Sequence, residues 1–233
     1  MDLSYIAHNL DDVRSRIQRA ARDAGRKPDD VRLLAVSKTF GRDHVGAAAA
    51  AGQADFGENR VQEALQKIDG SADLRIRWHL IGPLQSNKVR KAVPRFSAIH
   101  SVDSRRLLAS IDAAATDAGT TPELLVQVDL GGEATKHGAP QHEAMDIVRA
   151  AAICRSARCV GLMTIPPFFD NPEDTRPYFA ALRNLRDTLL NEGLDQAMLR
   201  ELSMGMSHDF EIAVQEGATI VRLGTAIFGK RHV

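Results

Sequence analysis

Short apolar runs alternate with amphipathic segments along nearly the whole chain. The apolar runs are continuous, which is typical of parallel strands that are covered on both faces. We predict strands at residues 31–36, 54–57, 78–81, 98–102, 124–128, 159–164, 200–204 and 219–223. Eight parallel strands are the number that closes a (β/α)₈ TIM barrel, so this α/β fold is our prediction.

The segments between the strands have the spacing of helices that bury one face. The first runs over residues 8–24 and places Leu10, Val13, Ile17 and Ala20 on one side, and others cover residues 43–51, 104–118, 141–152, 173–192 and 208–216. A doubly wound open sheet also alternates strands and helices. The strand count and the lack of a GxGxxG motif after the first strand favour the barrel. No linker interrupts the pattern, which predicts a single domain over residues 1–233.

Composition narrows the class of protein. The 233 residues contain 30 Lys+Arg and 30 Asp+Glu, and this zero net charge argues against nucleic acid or a membrane as the main partner. The N-terminus lacks the pattern of a signal peptide, and no apolar stretch reaches the length of a membrane span. Cys154 and Cys159 do not form a CxxC pair. A cytoplasmic protein with two free thiols is the expectation, and no HxH or HExxH spacing predicts a metal site.

Candidate binding residues follow the first, seventh and eighth predicted strands, where barrels of this class form their sites. Lys38 could form an imine with an aldehyde, although a lysine at a strand end is more often a solvated cap. Ser207, Gly224 and Thr225 lie in loops whose N–H and hydroxyl groups suit a phosphate, although Gly224 could simply make a turn. An aldehyde and a phosphate on one small molecule describe pyridoxal 5'-phosphate (PLP).

Two residues inside predicted strands have an ordinary and a functional interpretation. Arg222 could pair with a carboxylate, or it could donate a hydrogen bond to the pyridine nitrogen of PLP. Because a guanidinium only donates, the ring nitrogen would then stay unprotonated. His79 could contact the cofactor ring or be a core histidine with satisfied hydrogen bonds.

Several segments together resemble one family, the pyridoxal phosphate homeostasis proteins, over residues 33–229. They are AVSK (35–38), FGENRVQE (56–63), WHLIG (78–82), QSNK (85–88), GLMT (161–164), LSMGMSHD (202–209) and VRLGTAIFG (221–229). The chain departs from the family at Arg60, where a tyrosine is frequent, and around the loop at residues 132–138.

This resemblance implies a fold-type III barrel like the N-terminal domain of alanine racemase. It implies that Lys38 forms the Schiff base and that Arg222 faces the pyridine nitrogen. It also implies a set of further contacts, with Ser207, Gly224 and Thr225 at the phosphate and Asn59, His79 and Met204 around the cofactor. Whether Lys88 or Lys136 provides a second PLP position is left open.

The resemblance implies a PLP carrier or buffer in vitamin B6 homeostasis, with apo PLP-dependent enzymes as possible recipients. Alanine racemases add a second domain whose tyrosine is the partner acid–base group. Here the predicted barrel occupies the chain, and neither Tyr5 nor Tyr178 follows a strand. We therefore expect a monomer without robust turnover. The rivals are a single-domain PLP-dependent amino-acid racemase and a phosphosugar enzyme whose Lys38 never forms an imine.

Overall fold

A closed parallel barrel forms the centre of the structure. The computed structural model describes residues 2–132 and 137–230. Each strand pairs with its neighbours in parallel. The strands are β1 (Arg32–Val36), β2 (Asp55–Glu58), β3 (Arg77–Leu80), β4 (Ala98–Val102), β5 (Glu123–Asp129), β6 (Ala139–Pro140), β7 (Arg158–Thr164), β8 (Glu201–Ser203) and β9 (Ile220–Leu223).

Closure of the sheet confirms the predicted fold. The neighbour order runs β4-β3-β2-β1-β9-β8-β7-β5, and β5 pairs back with β4, so eight strands close a ring. All eight correspond to the predicted strands within two residues at either end. The short β6 was not predicted; its two residues pair with Val128 and Asp129 at the end of β5.

Helices surround the barrel between the strands. They are α1 (Ser4–Asp23), α2 (Arg42–Ala50), α3 (Val61–Asp69), α4 (Val89–Ala92), α5 (Arg105–Ala118), α6 (Gln141–Ala151), α7 (Arg176–Asn191), α8 (Phe210–Gln215) and α9 (Thr225–Phe228). The predicted apolar face of α1 is buried as expected, and the helix begins one turn earlier because Ile6 extends the same face. None of the helices in the described ranges is both long and apolar enough to cross a membrane.

Helix α3 was not among the predicted helices, and its buried face explains why. Val61, Ala64 and Lys67 are the residues that α3 buries. A lysine at the third position interrupts the apolar periodicity on which the sequence analysis relied. Lys67 is buried because its amine has hydrogen-bond partners beneath the helix, which the pattern of apolar positions cannot reveal.

The core has two layers. The larger cluster lies between the barrel and the helices and includes Phe56, Trp78 and Phe179. A smaller cluster consists of side chains from the barrel strands and their ends: Leu34, Val36, Ile81, Leu125, Val160, Met163 and Ile220. Polar side chains share the barrel interior with this smaller cluster, and they lead to the site described below.

Gly161 on β7 lets two strands approach closely. A Cβ atom at this position would lie 1.9 Å from the carbonyl oxygen of Glu201 on β8, so the backbone would have to move. We expect Gly161→Ala to lower the free energy of unfolding by about 1–3 kcal/mol or more. Gly46, inside α2, has no atom within 4 Å of such a Cβ. Gly46→Ala should therefore raise the free energy of unfolding by about 1 kcal/mol.

Urea unfolding of the two variants beside the parent chain measures both effects. Equal stability of Gly161→Ala and the parent would show that the approach of β7 to β8 tolerates a methyl group.

Candidate functional site

A cavity of about 460 Å³ opens where the barrel strands end. This volume lies in the range of small-molecule sites, and the position is the one at which barrels of this class bind their ligands. Its walls come from the ends of β1, β2, β3, β5, β7, β8 and β9 and from the loops that follow these strands. The lining residues are Val36, Lys38, Thr39, Phe40, Asn59, Ile81, Gly82, Pro83, Gln127, His137, Ile165, Met206, Ser207, His208, Arg222, Gly224, Thr225 and Gly229.

The structure brings most of the sequence-predicted site residues together around this cavity. Lys38 enters from the loop after β1, and the other members come from the ends of β2, β8 and β9. The set on the wall is Lys38, Asn59, Ser207, Arg222, Gly224 and Thr225. Lys88 is not part of the lining, and Lys136 lies outside the described residues.

His79 and Met204 do not line the cavity, which differs from the sequence-based expectation. The imidazole of His79 is buried and hydrogen bonds to His100 and Asp55. Met204 is fully buried in the larger core cluster, and Met206 is on the wall instead. The chain leaves β8 and turns at Gly205, whose φ is 92°, so the alternation of side chains along the strand ends there.

Ser207, Gly224 and Thr225 form a wall rich in hydrogen-bond donors. The Ser207 hydroxyl oxygen accepts from the backbone N–H groups of Gly224 (3.3 Å) and Ala226 (3.2 Å). A Cβ at position 224 would lie 3.2 Å from the Val36 carbonyl oxygen, so the closeness of β1 suits a glycine there. Hydroxyl and N–H groups grouped in this way are the donor set that proteins use for phosphate.

The charges on the cavity wall favour an anion. Lys38 and Arg222 both contribute to the wall, and the described lining residues include neither aspartate nor glutamate. Burial lowers the pKa of Arg222 to about 10, which leaves the guanidinium charged at neutral pH. A phosphate-bearing ligand would therefore meet compensating positive charge in a site that is partly closed to water.

Two hydrogen bonds hold the Arg222 guanidinium. It donates to the Ser203 hydroxyl oxygen at 2.8 Å and to the Thr164 carbonyl oxygen at 2.8 Å. Only 4% of the residue is exposed. The hydrogen bonds that orient the guanidinium thus come from β7 and β8, and the Asp209 carboxylate adds an electrostatic interaction.

A buried chain of hydrogen bonds continues from Ser203 across the barrel interior. Ser203 Oγ lies 3.0 Å from His100 Nδ1, and His100 Nε2 lies 3.0 Å from His79 Nδ1. His79 Nε2 lies 3.1 Å from Asp55 Oδ1, and Arg77 binds the same carboxylate through two hydrogen bonds. The chain therefore connects a cation on the cavity wall with a carboxylate on β2.

The two ends of this chain differ in what they offer. The Arg222 guanidinium can only donate, whereas the Asp55 carboxylate accepts. Burial, together with nearby cations such as Arg222 and Arg32, holds the pKa of His100 well below its usual value. His100 is therefore neutral at neutral pH, so one of its ring nitrogens donates a hydrogen bond and the other accepts one.

Gln127, His137, Met206 and His208 are among the lining residues that were not predicted as part of the site. The His208 ring stacks on Phe168, which is 76% exposed, and lies 3.2 Å from the Asp170 carbonyl oxygen. Gln127 donates to the His137 carbonyl oxygen at 2.5 Å. His208 follows Ser207 directly in the LSMGMSHD segment, and this adjacency is the one signal that could have identified it.

Comparison with known proteins shows the family to which the chain belongs. The family model described as alanine racemase, N-terminal domain, matches residues 2–232. A pyridoxal phosphate homeostasis protein of Pseudomonas aeruginosa is 44% identical over 232 residues, which cover 98% of this chain and 97% of the relative. One of Aquifex aeolicus is 43% identical over 222 residues, covering 95% and 96%.

A solved structure gives the same result. PipY of Synechococcus elongatus PCC7942, a protein of the COG0325 family solved with PLP bound, superposes with a TM-score of 0.85. It is 40% identical and covers 96% of this chain and 100% of its own. The chain belongs to the pyridoxal phosphate homeostasis protein family, which confirms the resemblance seen in the sequence.

His100 makes stability depend on pH in a defined window. The unfolded chain binds a proton on this residue below about pH 6.5. The folded protein does not, because its His100 pKa is well below that value. The free energy of unfolding should therefore fall as the pH drops from about 6.5 to 5, by up to about 1.4 kcal/mol per pH unit.

Urea unfolding of the parent and of His100→Asn at about pH 7, 6 and 5 measures this loss, which the variant should lack. Burial raises the pKa of Glu58, which acts in the opposite direction, but this contribution is common to both proteins. Parallel pH profiles of parent and variant would contradict the assignment.

Proposed function

We propose that the protein binds PLP reversibly through Lys38 and acts in intracellular PLP homeostasis as a carrier or buffer. One observation carries the proposal. A single cavity joins a lysine, a buried arginine and a wall that is rich in hydrogen-bond donors. The names of the relatives and the PLP bound to PipY support the same ligand.

Each wall residue has a role in this proposal. The Lys38 amine condenses with the aldehyde to form a Schiff base, and Ser207, Gly224 and Thr225 hold the phosphate. Arg222 donates to the pyridine nitrogen, and Asn59 contacts the cofactor from the end of β2. PLP supplies a reversibly reactive aldehyde, while the protein supplies binding and orientation.

The proposal excludes robust catalytic turnover. Arg222 donates hydrogen bonds and accepts none, so the pyridine nitrogen would stay unprotonated and the ring would stabilise a carbanion poorly. The hydroxyl of Tyr5 donates to the Phe228 carbonyl oxygen, and Tyr178 packs on Phe169; neither tyrosine lines the cavity. A tyrosine acid opposite Lys38 therefore has no candidate in the described part of the wall.

A small amino-acid racemase remains the second candidate because of two histidines. His137 and His208 both line the cavity, and a histidine can serve as the second acid–base group that racemisation needs.

The proposal also covers the proteins that receive PLP and the compartment in which the carrier acts. We propose that apo PLP-dependent enzymes receive PLP from a monomeric carrier in the cytoplasm. Cys154 and Cys159 are both free thiols, which is the usual state in a reducing compartment.

Lys38→Ala should abolish covalent attachment, whereas Thr225→Val should weaken affinity and keep attachment. The hydroxyl of Thr225 would donate to a charged phosphate, a hydrogen bond worth about 1.5–3 kcal/mol, so the dissociation constant should rise about tenfold or more. The measurements are PLP titration, then borohydride reduction at saturating PLP with peptide mass mapping.

Lys88→Ala and Thr188→Val are the matched controls, because neither residue lines the cavity. Both should behave as the parent does. A pyridoxyl adduct found only on another lysine would refute the Lys38 assignment. Unchanged affinity of Thr225→Val would mean that the phosphate lies elsewhere.

Exchange of the α-proton separates a carrier from a racemase. We expect the PLP-loaded protein to show negligible exchange in deuterated water with a panel of L- and D-amino acids, followed by NMR. Exchange at about one per second or faster, an ordinary enzymatic rate, would overturn the carrier proposal. Loss of that exchange in His137→Gln or His208→Gln would then identify the second acid–base group.

A further inference from the structure

Two side chains of α3 hold the backbone on either side of Lys38. The Lys67 amine donates to the Ser37 carbonyl oxygen at 2.7 Å. The Thr39 backbone N–H donates to Glu63 Oε1, also at 2.7 Å. Ser37 and Thr39, on either side of Lys38, are thus both hydrogen bonded to α3, which follows β2 and not β1.

The backbone at Thr39 needs such support. Its φ is 69°, and among the described residues it is the one non-glycine residue with a positive φ. A side chain with a branched Cβ makes this conformation costly, so it persists where surrounding contacts impose it. The hydrogen bond from Thr39 to Glu63 is one such contact, and it acts on the residue next to Lys38.

The ties to α3 belong to an ionic cluster made of Ser37, Glu58, Glu63 and Lys67, of which Glu63 is only partly buried. Glu58 is completely buried and accepts from the Ser37 hydroxyl at 2.7 Å and from Lys67 at 2.8 Å. Lys67 also donates to Glu63 at 3.0 Å. All three protons of the Lys67 amine therefore have acceptors, which makes the cluster a rigid anchor rather than a mobile surface pair.

This cluster does not touch the cavity. Lys38 and Thr39 line the wall, whereas none of the four cluster residues does. Glu63 and Lys67 can therefore act on a bound ligand through the backbone around Lys38 and Thr39.

We infer that Glu63 and Lys67 are positioning residues that aim the Lys38 amine at the aldehyde of the ligand. This inference rests on the proposed function. In that reaction the Nζ lone pair forms the C=N bond to the aldehyde carbon, and the aldehyde oxygen leaves as water with the two amine hydrogens. The rate depends on where Nζ lies relative to that carbon, and a misplacement of about 1 Å can cost about 100-fold.

Glu63 is the residue to remove. Its side chain is 30% exposed, and Glu58 keeps Lys67 as a partner when Glu63 is absent. Removal of Lys67 would instead leave the buried Glu58 carboxylate without its cation, which risks unfolding. Glu63→Gln retains an acceptor oxygen for the Thr39 N–H and serves as the conservative rescue. Gln62→Ala, an exposed position on the same turn, is the matched control.

Two ligands distinguish an effect on the position of Lys38 from a general loss of structure at the site. The first is PLP, with the rate of borohydride-reducible attachment to Lys38 as the readout. The second is pyridoxine 5'-phosphate, which carries the same ring and phosphate but an alcohol in place of the aldehyde, and whose dissociation constant reports non-covalent binding.

We expect Glu63→Ala to slow attachment by about 10- to 100-fold. Its affinity for pyridoxine 5'-phosphate should stay within about twofold of the parent. Glu63→Gln and Gln62→Ala should both attach PLP at close to the parent rate.

An unchanged attachment rate in Glu63→Ala overturns the inference. A parallel loss of attachment, pyridoxine 5'-phosphate affinity and urea midpoint also overturns it, because a purely structural anchor would have that effect. If the parent itself forms no adduct on Lys38, the proposed function fails; if the parent forms it and Glu63→Ala matches the parent, only the positioning role fails.

Discussion

A guanidinium buried in a barrel must find its hydrogen-bond partners inside the barrel. Arg222 donates to the Ser203 hydroxyl and to the Thr164 carbonyl. From Ser203, a chain of buried hydrogen bonds continues through His100 and His79 to Asp55. Part of the barrel interior is therefore occupied by polar side chains. The smaller apolar cluster shares that interior. The cavity therefore lies above a packed barrel and not above an open pore.

Closure of the barrel brings the two halves of the candidate site together. β1 pairs with β9, so Leu34 lies opposite Arg222 and Ala35 opposite Leu223. Lys38 follows β1, whereas Gly224 and Thr225 follow β9. Residues from distant parts of the sequence therefore line one cavity.

The site separates groups that would touch the ligand from groups that hold them in place. Arg222 is held by hydrogen bonds to Ser203 and the Thr164 carbonyl, and the backbone on either side of Lys38 is held by Lys67 and Glu63. Both supports depend on buried hydrogen bonds, which are stronger in the protein interior than in water. In the proposed function, this preorganisation reduces the conformational entropy that the lysine loses each time it captures the aldehyde.

The sequence by itself determined the eight barrel strands, the family and the wall residues that follow strand ends, because apolar periodicity and motif spacing are local properties of the chain. The tertiary structure alone decided that His79 joins His100 rather than the cavity wall, that Met206 replaces Met204 there, and that Lys67 is buried. Each of these depends on which strands meet and where a turn such as Gly205 redirects the side chains. Such facts exist only once the barrel has closed and long-range partners satisfy buried polar groups.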